Sequence, residues 1–105
     1  MHGPYMLWPS MIDMHVTPRV GGVFLLGKEP KKVALVARAD KDLREEIKTH
    51  RDKYRFFWFE ASMGRTEAFA LHCRLFHKHE TDGLDNPTHP TAPAGTDLKC
   101  PVCGK

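Results

Sequence analysis

The chain ends in a Cys-x-x-Cys pair, Cys100 and Cys103, and that pair sets the strongest condition on its fold. It follows a stretch from Glu80 to Lys99 that holds Pro87, Pro90 and Pro93 and has no regular hydrophobic period. Connections longer than roughly a dozen residues without secondary structure are uncommon in compact domains unless they are functional or disordered, so this tail needs something to pin it. Tetrahedral zinc asks for four ligands, and a Cys-x-x-Cys hairpin supplies two. Cys73 and His77 stand four apart on a predicted helix, project from one face of it and offer the other two. Cys73, His77, Cys100 and Cys103 together make a Cys3His set, a composition common in closed structural zinc sites. Clipping the tail to the helix would offset the entropy of closing so long a loop.

Competing donors lie close by. His72, His79 and His89 are near in sequence, and His89 takes the place of His77 if the tail folds back. Alone, Cys73 reads as a small buried hydrophobe, and the Cys-x-x-Cys as a frayed end with two idle thiols. A catalytic zinc keeps one position open for water, and nothing in the sequence calls for one, so the expected Zn2+ is structural.

The 105 residues are enough for one domain with a modest core. Three cysteines, an odd number, do not make a disulfide framework and point to a reducing cytoplasm. No apolar run reaches the length of a membrane span, and MHGPYMLWPSMIDMHVTP lacks the basic start and continuous apolar core of a signal peptide. The expectation is a cytoplasmic protein with no membrane partner. A net charge of +3, with seven histidines held neutral, is compatible with a polyanionic partner without demanding one. There is no P-loop, dinucleotide-binding glycine pattern or G-x-S-x-G elbow.

Residues 1–18, with Pro4, Pro9 and Pro18, read as an irregular leader, and residues 19–105 as one domain. Met6, Met11 and Met14 leave room for a later start. The run from Gly21 to Gly27 predicts a buried strand, and Val33 to Arg38 a second strand, joined to it by a short polar turn as an antiparallel hairpin. Leu43, Ile47 and His50 share one face of a helix capped by Asp40. Tyr54 to Ala61, aromatic throughout, predicts a strand buried on both faces. Phe69, Cys73 and Phe76 mark a last helix opened by Thr66.

This order resembles the GIY-YIG nuclease superfamily over about residues 19–86. Gly22-Val23-Phe24 stands at the first motif and Leu35-Val36-Ala37 at the second. The segment RADKDLREEIKTH is similar to the family's basic helix, and EAFALHCRLFH followed by LDN to its last helix and asparagine. HCRLFH, THP and CPVC also match the tail of a subset of such proteins. The resemblance implies an α+β fold, a small three-stranded antiparallel sheet flanked by two helices, here with a metal-clipped Pro-rich tail. It also implies nuclease chemistry, which the residues carry poorly. Phe24 and Leu35 replace tyrosines and neither moves a proton. Glu46 stands at the arginine position, and His72 replaces the glutamate that binds the divalent cation, a poor exchange for hard Mg2+. His50, Arg38 and Asn86 remain as residual catalytic candidates, and Mg2+ belongs only to an active-nuclease reading.

The expected role is therefore DNA or RNA binding with weak or no cleavage. Arg38, Arg44, Lys48, His50, Arg51 and Lys53 on or beside the first helix are candidate phosphate contacts, although acidic residues interleave with them. The alternatives are an active nuclease with rearranged residues and a zinc-stabilised module that binds a protein partner.

Overall fold

The computed structural model describes residues 1–86 and 88–104. Pro87, one of the tail prolines, and Lys105 lie outside the described residues. Strands β1 (His2–Met6), β2 (Gly22–Gly27), β3 (Leu35–Ala39) and β4 (Phe56–Ala61) alternate with helices α1 (Pro9–His15), α2 (Leu43–Lys48) and α3 (Arg65–His79). A single 3-10 turn, Glu80–Asp82, follows α3. The four strands pair antiparallel in the order β1-β4-β2-β3.

The expected α+β class holds, but among the described residues the sheet has four strands rather than three, and there are three helices rather than two. The difference is the segment expected to be an irregular leader. Residues 2–6 pair with β4, and residues 9–15 form α1. Pro4 and Pro9 disguise both elements. Proline is tolerated on an edge strand, where no ladder hydrogen bond need be donated, and Pro9 opens α1 where an amide proton has no intrahelical partner anyway.

Period-two alternation sorts the strands onto two cores. Phe24, Leu26, Ala39, Phe57 and Phe59 meet Ile12 of α1, Val16 just beyond it, and Leu43 and Ile47 of α2. On the other face Leu25 and Val36 pack with Phe76 of α3, with Trp58 half-buried against them. The strand buried along both faces is β2, from Gly22 to Gly27. In β4 only Phe57 and Phe59 are buried, because Trp58 and Glu60 lie on a face that α3 covers in part. A Cβ at Gly22 would run into the Glu60 carbonyl and reach the Leu43 side chain at 3.0 Å, which is why helix α2 can lie so close to β2 there.

The caps differ by two residues from their expected positions. Asp42, not Asp40, accepts the Glu45 amide (3.3 Å) at the start of α2. Asp40 instead takes Nε of Arg38 at 2.8 Å. Helix α3 opens after Gly64 rather than at Thr66. Arg44 donates to the carbonyls of Val16 (2.7 Å) and Asp13 (2.8 Å), and Lys48 pairs with the Asp13 carboxylate at 2.6 Å. Two of the cations expected to meet phosphate are thus spent on locking α1 to α2.

After Gly83 the tail lies along the free edge of β3. The Asp85 amide donates to Ala34 O (2.7 Å). The Asn86 side chain accepts from Val36 N (3.3 Å) and donates to Val36 O (2.7 Å), pairing that edge as a strand would.

A candidate metal centre at the end of the chain

Helix α3 carries His77 into contact with the end of the tail. Its Nδ1 lies 3.2 Å from the Glu80 carboxylate, one turn on, and its Nε2 is buried without a hydrogen-bond partner among the described residues. A buried imidazole nitrogen left unpaired is costly, so the position asks for a group that is not a side chain of this protein. Facing it, His89 commits Nδ1 to Pro90 O at 2.8 Å and turns Nε2 to the Cys103 sulphur at 3.3 Å. The ligand atoms of His77, His89, Cys100 and Cys103 all lie within 4.8 Å of one another. Ligands at zinc distances on a tetrahedron stand about 3.3–3.8 Å apart, so this group needs only slight contraction to hold an ion.

The local sequence builds the cysteine half. The Gly104 amide closes a turn on Cys100 O at 2.9 Å, and Gly104 holds φ +77°, a left-handed conformation that glycine adopts without strain. Burial opposes ionisation of Cys100, but the amides of Cys103 and Val102, His89 and the Cys73 thiol outweigh it and bring its pKa down to about 5. A metal ligand must be a thiolate, and Cys100 is held as one. Phe76 walls the site, its ring 5.4 Å from His77 and 5.6 Å from His89. The His89 ring thus has an outer hydrogen-bond partner that orients its inward nitrogen, as metal-binding histidines generally do, and the Glu80 carboxylate lies beside the outer nitrogen of His77.

The expected ligand set needs one correction. His77, Cys100 and Cys103 come together, but the fourth donor is His89, and Cys73 lies outside the group. In sequence His89 offers itself as a substitute for His77, whereas in the fold both histidines belong to the group. Cys73 is fully buried between Phe69 and Cys100. Burial, with Cys100 as neighbour, pushes its thiol up to about 12, so it stays protonated and serves Cys100 as a hydrogen-bond donor. The group is Cys2His2, not Cys3His. The sequence signal for His89 was the Thr-His-Pro step, whose distance from α3 only the folded tail supplies.

The residual catalytic candidates do not form one site. In the β2–β3 register Phe24 faces Ala37, so Arg38 points to the opposite face of the sheet. His50 packs by its ring on Phe24, 5.8 Å between centroids, and Tyr54 lies 6.4 Å beyond it. Burial holds the His50 pKa below the ordinary value, with Glu46 opposing and Lys53 assisting. Arg38 and Asn86 lie on the other side, lining an open depression with His72 and Thr91. Arg38 is engaged on every side. It binds Asp40, donates to Thr91 O (2.8 Å), approaches His72 Nδ1 (3.4 Å) and lies over the Phe69 ring. Asn86 is consumed by Val36. Both residues tether the tail.

No helix among the described residues is long and apolar enough to cross a membrane. The chain matches no family model, no curated protein and no solved structure in the comparisons made with each.

Proposed function

We propose that this chain is a nucleic-acid-binding domain without efficient cleavage, folded around one structural zinc ion. The observation that carries the zinc assignment is the buried, unpartnered Nε2 of His77 facing a second imidazole and two cysteines. Two sulphur and two nitrogen donors are the set zinc prefers, and four protein ligands leave no position for a reacting water. The bound ion supplies a cross-link and no reaction step. His77 and His89 orient toward it, Cys100 and Cys103 bring the charge, and Cys73 supports Cys100.

The absence of cleavage is supported by what the nuclease-like positions hold. Phe24 and Leu35 carry no proton, Arg38 and Asn86 are bound into the tail, and His50 is on the far face. Nucleic-acid binding is supported by exposed cations free of ion pairs among the described residues. Arg51 and Lys53 are two of those expected, and Lys28, Lys31, Lys32 and Arg55 join them at the same end of the sheet.

The test uses protein purified without a metal column. Native mass spectrometry is expected to find one zinc per chain, lost in His89→Ala and Cys103→Ser and kept in Cys73→Ala. Zinc lost in Cys73→Ala but kept in His89→Ala would overturn the ligand set. The zinc-loaded protein is expected to bind oligonucleotides with affinity that falls steeply with salt, and to leave supercoiled plasmid intact with Mg2+ or Mn2+. Nicking abolished by His50→Ala would establish an active nuclease instead, and no salt-dependent binding would leave a protein-interaction module.

A further inference from the structure

At the end of the sheet where β2 turns into β3, an open groove of about 310 Å3 crosses the face beneath α3. Trp58, Leu25, Val33 and Leu75 give it an apolar floor, and Lys31 and Lys78 stand at its rim. Lys31 belongs to the turn Glu29–Lys32 and Lys78 to the last turn of α3, so two elements distant in sequence place a cation at the same depression. No aspartate or glutamate lines it. The nearby acids Glu60 and Asp82 are paired with the N-terminal amine (3.4 Å) and His79 (3.0 Å).

The surface around the groove continues the same charge. Lys28 and Lys32 lie on the same turn, and the Arg55 amide binds Gly27 O at 3.1 Å, which brings the connection carrying Arg51, Lys53 and Arg55 alongside. All are exposed, and neither they nor Lys31 and Lys78 form an ion pair among the described residues. Glu29 and Asp52 are the carboxylates within these two segments, against six cations. An aromatic floor with two unpaired lysines at its rim fits a ligand with flat apolar faces joined by anions.

We infer that this groove takes single-stranded nucleic acid, with an unpaired base against Trp58 and its neighbouring phosphates on Lys31 and Lys78. The inference rests on the nucleic-acid reading above and names its surface and strand class. A paired base keeps its faces stacked within the duplex, so only an unpaired one can use an aromatic floor. Lysine contributes charge without base readout, so little dependence on sequence is expected.

The chain has two tryptophans, so Trp8→Phe leaves Trp58 as the sole reporter. Titrating this variant with an oligothymidylate of about 16 nucleotides is expected to quench its fluorescence. A duplex of equal length should bind about tenfold more weakly and quench little. Lys31→Glu with Lys78→Glu, both exposed and away from the core, should weaken single-strand binding about tenfold and lower the salt slope by about 1.4. Single-strand binding without quenching and unchanged by the double variant would remove the groove from the interface while leaving nucleic-acid binding in place. A preference for duplex would overturn the strand class. Failure to bind either form would overturn the underlying reading itself.

Discussion

The guanidinium of Arg38 stands 3.4 Å from Nδ1 of His72, so a proton on that ring meets a fixed cation. Burial first, and Arg38 second, push His72 down to about 4 from its ordinary 6.5. The folded protein therefore keeps this ring neutral where the unfolded chain protonates it. The stability this represents is fully present above pH 6.5 and is lost as pH falls toward about 4. Allowing for solvent at the partly exposed ring, the loss is about 1–2 kcal/mol. Denaturant unfolding of His72→Gln should show the counterpart: the gap between wild type and variant narrows by that amount between pH 6.5 and 4. Metal-ligand protonation affects both proteins and cancels. At this scale residue type was the legible part and partner was not. Arg38, Asn86 and His50 stand out by type, but the alternation of β3 sends Arg38 away from His50, and Arg38 and Asn86 bind backbone carbonyls of Thr91 and Val36 that no motif encodes.

At the scale of elements, β1 decides whether the sheet has a guarded edge. It covers β4, stacking Tyr5 on His15 of α1 at 4.0 Å and setting Tyr5 beside Phe57 at 5.6 Å. Leu7, which binds Arg55 O at 2.8 Å, is buried with that cluster. Deleting residues 1–8 would expose the β4 edge with its aromatic side chains, a template for pairing between chains. The truncated protein is expected to associate or precipitate on concentration, measured by sedimentation against the full chain. A monomer of unchanged stability would show that β1 is dispensable. Strands β2, β3 and β4 were readable because each carries an unbroken apolar run. Strand β1 was not, because Gly3 and Pro4 break its apolar pattern and mark it as a loop, while the edge position lets the strand form despite them.

For the molecule as a whole, the tail is fastened by Asn86 on β3, by Arg38 at Thr91, by Arg65 at Ala94 O (3.1 Å) and by the Cys2His2 group at its end. The polar tethers among the described residues are few, so the proposed zinc ion is expected to account for much of its order. Chelation is expected to lower the melting temperature and open the segment 88–99 to proteolysis while the sheet stays protected. Stability should recover with added zinc according to mass action. Cleavage elsewhere first, or no change on chelation, would show that the tail holds without the ion. Spacing and period along the chain were enough to mark Cys100, Cys103 and His77 as candidate metal donors and to give a small antiparallel sheet as the core. These follow from spacing and period, which are local properties of the chain. It took the folded chain to bring His89 rather than Cys73 into the candidate metal group, to place residues 1–18 in the sheet and its packing, and to set His50 and Arg38 on opposite faces. Each of those depends on which buried surface a segment reaches across a long stretch of chain, and that is set by the packing of the whole domain.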